Sequence, residues 1–189
     1  KEYAYSLFMQ FKYDEAIPLY EKLIAQGFDN FESNFILGLC YEDQPDNEKA
    51  LKHYQKAVQF KNDNATCLFH LALIEKSFCM DSLSMAHFNQ SLEVSLPKDR
   101  ALRTYKWLAD LHFQHSRYAD AARDFELSIL YDEEDDPLNY YNAAQMFIAS
   151  KNKLKAKLYL QMFLANANRL EDKKEAAQLI SKAKEQLKQ

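Results

Sequence analysis

The residues of this sequence that could do chemistry are its five histidines, its three cysteines and one run of acids. His112 and His115 stand about one helical turn apart, with Asp110 nearby. Two imidazoles at that spacing could hold a metal ion from one helix face. The spacing places no third ligand, and His112 falls where a side chain packs, so no metal site is expected. His53 and His87 lie 34 residues apart and echo one another rather than converge. Glu133 and Glu134 sit in an acidic loop, Asp132 to Asp136, with no enclosing pocket. Such a loop suits solvent and the start of the following helix. Cys40, Cys67 and Cys79 show no CxxC spacing and cannot all pair. Free thiols are expected, with a single Cys40–Cys67 disulfide as the minor alternative. Free thiols point to a reducing, cytoplasmic location; an export signal removed from an upstream segment would reverse that.

GxSxG, GxGxxG, P-loop and HExxH patterns are all missing, and two glycines in the whole chain leave no phosphate-cradling loop. Neither an enzyme nor a bound cofactor is expected. The net charge of -4 supplies no basic excess for nucleic acid. Apolar runs fall far short of the roughly 18 residues that a membrane span requires.

With chemistry set aside, periodicity dominates. A small residue recurs at Ala4, Gly38, Ala72, Ala109 and Ala144. Twelve residues after each comes a second one, at Ala16, Ala50, Ser84, Ala121 and Ala156. Four residues further stands a bulky one: Tyr20, Tyr54, Phe88, Phe125 and Leu160. The unit steps by 34, 34, 37 and 35 residues. Small residues on two antiparallel helices let their backbones approach, and the bulky residue fills the gap toward the next unit. One pair cannot bury its apolar stripe alone, whereas stacked neighbours can.

This pattern resembles the tetratricopeptide repeat family. Leu37-Gly38, Tyr41, Ala50, Tyr54 and Ala57 match its motif best, and the segments YDEAIPLYEKL and WLADLHFQHSRYADAARDFELSI are also similar. Glu75 and His112 depart from it, standing where the first helix usually carries an aromatic residue. The resemblance implies an all-α fold: a right-handed α–α superhelix of about five helix pairs plus a C-terminal capping helix. The repeats are expected at 1–30, 31–64, 65–98, 102–135 and 137–169, together spanning 1–170. The capping helix is expected at 171–189, with Ala176, Leu179, Ile180, Ala183 and Leu187 on its docking stripe. Lys1 falls partway along the first helix, so upstream residues are expected. Asp46 should cap a helix, Asp136-Pro137 should open another, and Pro18 should kink its helix or delay its start.

In this family the first helices of successive units line a concave face that holds partner segments. The resemblance puts Phe35, Leu39, Phe69 and Leu73 on that face. From the fourth repeat it adds Arg103, Lys106, Trp107, Asp110 and Phe113, and from the fifth Tyr141, Asn142 and Gln145. The family's clamp for acidic chaperone tails needs Lys, Asn and Arg at set places, which here hold residues such as Tyr5, Phe35, Ile36 and Leu39. An aromatic lining suits an apolar or amphipathic segment of another protein. The expected role is a scaffold, adaptor or chaperone-like binding module, with no nucleic acid or membrane span. The alternative is structural: self-association as a homodimer, or packing within a larger protein.

Overall fold

The computed structural model describes residues 1–188 and divides into two compact units, Lys1–Leu96 and the residues from Pro97 on. All regular structure among the described residues is helical. The first unit holds α1 (Glu2–Met9), α2 (Tyr13–Ala25), α3 (Phe31–Asp43), α4 (Asn47–Phe60), α5 (Ala65–Ser77) and α6 (Asp81–Val94). The second holds α7 (Lys98–Gln114), α8 (Tyr118–Ile129), α9 (Pro137–Ala149), α10 (Lys153–Asn166), a 3-10 turn (Ala167–Arg169) and α11 (Lys173–Gln186). Consecutive helices pack as five pairs followed by α11. Gln189, included in the expected capping helix, lies outside the described residues.

The small residues sit where the pairs touch. Ala16, Ala50, Ala72, Ala109, Ala121, Ala144 and Ser84 are fully buried. At Gly38 the approach is tight: an added Cβ would lie 2.5 Å from the Tyr54 ring, which is itself fully buried.

One turn is used five times to join first helix to second. Lys12, Asp46, Met80, Arg117 and Asn152 donate their N–H groups to the carbonyls of Leu7, Tyr41, Glu75, His112 and Phe147, at 2.8–3.0 Å. This six-to-one bond closes the first helix, and the same five residues are the N-caps of the second helices. The residue before each N-cap is left-handed: Phe11 (φ 58), Cys79 (φ 56), Ser116 (φ 59) and Lys151 (φ 60). Each of these four also donates to the carbonyl three residues back, at 2.9–3.0 Å. Pro45, with no N–H, stands in the same place in the second pair and forgoes that bond.

The residues that supply the carbonyls of this turn also touch the second helix through their side chains, each time with different chemistry. Leu7 and Leu19 share one apolar cluster. Tyr41 stacks on His53, with ring centroids 5.6 Å apart. Glu75 accepts from His87 at 2.7 Å, and Asp124 accepts from His112 at 2.6 Å, the acid and the imidazole having exchanged helices. Phe147 stacks on Tyr159 at 5.4 Å. Glu75 and His112 therefore replace the aromatic pair with a hydrogen bond in the same space.

Caps follow the expected chemistry. Asp46 accepts from the Lys49 N–H, and Asp136 accepts from the Leu138 N–H with Pro137 in the first turn. Asn30, Asn64, Asn152 and Asp172 cap four further helices. Pro18 does not delay its helix: α2 begins at Tyr13 and runs through it. Asp14 and Pro18 are both exposed, so the carbonyl that loses its partner can meet water. The acidic loop is more ordered than a solvated tract. Asp132 accepts from the Asp136 N–H and the Asn139 side chain, and Asp135 accepts from Arg169 and the Tyr140 hydroxyl. Those two bonds to Asp135 hold its carboxyl below the ordinary value.

Two substitutions test these features by chemical denaturation. Gly38→Ala drives a methyl into the Tyr54 ring and is expected to cost about 1–3 kcal/mol. Ser116→Gly removes a Cβ from a left-handed backbone and is expected to stabilise by about 1 kcal/mol.

Candidate functional site

Two registers of the first helices carry most of the expected partner face. Phe35, Phe69, Lys106 and Tyr141 occupy one; Leu39, Leu73, Asp110 and Gln145 occupy the other. In the first unit, Phe35, Leu39 and Leu73 are half-buried, with Phe35 stacked on Phe31 at 5.5 Å. Phe69 is only 4% exposed and packs on the Phe88 ring, so it belongs to the interior rather than to a contact face.

In the second unit, Arg103, Asp110 and Asn142 are exposed, while Lys106, Trp107 and Tyr141 are half-buried. Phe113 is exposed and meets the Tyr118 ring edge-on across the α7–α8 turn. Tyr141 leans on Phe163, with centroids 5.1 Å apart. Arg103 and Lys106 line a polar cleft of about 320 Å³ with Tyr131, Asp132 and Asn139. Gln145 is engaged internally: its amide and that of Gln186 exchange two hydrogen bonds, of 3.0 and 2.9 Å. These bonds tie α11 to α9, so Gln145 serves the capping helix.

The sequence reading missed Glu42. Its carboxylate accepts from the Tyr54 hydroxyl at 2.5 Å and from His70 Nδ1 at 2.9 Å, and the Tyr54 and His70 rings stack. Burial would raise the Glu42 carboxyl, but the bonds from His70 and Tyr54 outweigh it and hold it below its ordinary value. The signal was present in the sequence: an acid on an apolar helix, twelve residues before a tyrosine, at the separation that also pairs Glu75 with His87. Glu42 stands on α3 three residues after Leu39, with its carboxylate held by Tyr54 and His70.

The histidines do not converge on a metal. His112 is committed to Asp124, and the described residues hold no cluster of His, Cys, Asp and Glu suited to an ion. Burial pushes the Asp124 carboxyl up, against the pull of His112. Burial of the His53 imidazole lowers its pKa. The three cysteines are free; burial pushes the Cys40 and Cys67 thiols up to about 12, so both stay protonated packing groups. No helix among the described residues is long and apolar enough to cross a membrane.

Comparison with known proteins agrees with this architecture. Residues 9–79 match the family profile of anaphase-promoting complex, cyclosome, subunit 3. The chain is 24% identical over 144 residues to DnaJ homolog subfamily C member 3 of Gallus gallus, covering 71% of this chain and 28% of that protein. Among solved structures, YrrB, titled a TPR protein with an unusual peptide-binding site, superposes with a TM-score of 0.75 at 15% identity, covering 95% of this chain and 89% of its own. MamA does so with a TM-score of 0.71 at 15% identity, covering 88% and 95%. PilF of Pseudomonas aeruginosa gives 0.67 at 14% identity, covering 98% and 84%. Repeat spacing, helix pairing and these likenesses together give the chain a fold of the tetratricopeptide-repeat type.

Proposed function

We propose that the chain is a non-catalytic interaction module that holds an apolar or amphipathic segment of a partner protein against its first helices. The supporting observation is the set of large side chains left partly open there: Phe35, Leu39 and Leu73 in one unit, Trp107, Phe113 and Tyr141 in the other. Aromatic groups held by packing bury large areas at little entropic cost, and uncovered apolar surface on a folded protein marks contact sites. Glu42, Asp110, Arg103 and Lys106 supply polar neighbours that would fix the register of a bound segment. The peptide-binding site named for YrrB and the chaperone-type name of the Gallus gallus relative accord with an adaptor or chaperone-like role. Fold alone does not choose the partner.

A second reading rests on α1. Tyr3 is 67% exposed, whereas its counterparts Leu37, Leu71 and Ala143 are at most 1% exposed on helices that pack against a preceding second helix. Tyr5, Met9 and Phe11 are also exposed around it. A second copy could cover this face in a two-fold dimer, the commonest closed assembly.

Two experiments separate these readings. Trp107→Ala combined with Tyr141→Ala is expected to weaken capture of the partner by about tenfold or more while helicity and melting stay near wild type; unfolding of the variant would assign both residues to the core. Sedimentation over rising concentration should show a dimer that Tyr3→Glu abolishes. A wild-type monomer throughout would remove the second reading.

A further inference from the structure

Charge is distributed unevenly along the chain. Residues 1–96 carry eight Lys or Arg against fourteen Asp or Glu, and residues 97–189 carry sixteen against fourteen. The imbalance is concentrated at the C-terminal end: residues 151–188 hold ten basic side chains and four acidic ones. Part of this charge is used internally. Lys155 is paired with Glu126 at 2.7 Å, Arg169 with Asp135 at 2.7 Å, and Lys173 donates to two backbone carbonyls.

Seven of the ten form no such bond among the described residues, and three of these line one pocket. Lys151, Lys153 and Lys157 are exposed, form no ion pair among the described residues, and surround a pocket of about 440 Å³. Its apolar wall is built by Ile148 from α9, Ala156 and Leu160 from α10, and Leu187 just past α11. Ala156 and Leu160 are buried, so the floor belongs to the packed interior; Ile148 is 40% exposed at the mouth. The backbone holds the rim in place, because Lys151 is the left-handed residue of the α9–α10 turn, bonded through its N–H to the Ile148 carbonyl.

The geometry points to a second docking site, which uses none of the partner-face residues named above, for a protein segment that carries one bulky apolar side chain flanked by carboxylates. The apolar side chain fills the slot and the carboxylates meet the three ammonium groups. A purely apolar ligand would desolvate lysines without pairing them. A nucleic-acid backbone would satisfy the charge but leave the apolar floor unfilled. The volume lies in the range of specific pockets and takes one large aromatic or aliphatic side chain with its flanking backbone. Ammonium groups at the rim act chiefly on encounter rate and salt dependence, and the buried anchor supplies the affinity.

The test uses three labelled peptides: one with a central Trp between glutamates, one with lysines replacing the glutamates, and one with Ser replacing the Trp. Fluorescence anisotropy should show saturable binding of the first alone, weakening with salt. Lys153→Glu combined with Lys157→Glu, both exposed on α10, should reduce affinity by about tenfold or more. The Trp107→Ala, Tyr141→Ala variant should bind this peptide as the wild type does, which keeps failure here distinct from failure of the first-helix reading. Equal binding of the glutamate and lysine peptides, no effect of the charge reversal, or binding of phosphatidylserine vesicles in place of the peptide would each overturn the proposal.

Discussion

The structure depends on how closely two antiparallel backbones can approach. Every pair meets at two small, buried side chains. At Gly38 even a methyl group has no room beside Tyr54. The turn reinforces the constraint. One residue closes the first helix with its N–H and caps the second, so the two axes leave the turn in a fixed relation. With the approach and the turn set, the remaining side chains at the contact can vary. Leucines, a tyrosine–histidine stack, two oppositely oriented acid–imidazole bonds and a pair of aromatic rings all serve at one position.

The fold was legible because sterics tie small residues to a strict interval. Ala16, Ala50, Ser84, Ala121 and Ala156 mark second helices by spacing alone; of the two longer steps, one lengthens α7 at its start and the other lies in the loop before α9. Exposure was harder to read, because it depends on the side chain packed opposite. Phe35 and Phe69 share a register and each meets a ring of its second helix, Tyr54 or Phe88, yet only Phe69 is buried. Gln145 matched the pattern of a contact residue, but the end of α11 reaches it. Glu42 looked like one charge among many until Tyr54 and His70 were seen to converge on it. Periodicity locates a side chain on a helix; it does not identify its neighbour across the interface.

A scaffold of this kind separates support from contact. The second helices and the small residues hold the pairs together, and Cys40, Cys67 and the His112–Asp124 pair are buried within that packing. On the first helices Phe35, Trp107, Phe113 and Tyr141 stay at least partly exposed, and the proposed function assigns these side chains to a partner. The basic end of the second unit is chemically different, so one chain can present two kinds of surface.

Oxidative footprinting of aromatic side chains tests the central claim most directly, since it reads each ring in the free chain and again in a complex. The account predicts that Phe35, Trp107, Phe113 and Tyr141 react in the free chain and become protected when a partner binds, while Phe60 and Tyr118 on second helices keep their reactivity. First-helix rings that are inert before any partner is added, or protection confined to the second helices, would contradict it.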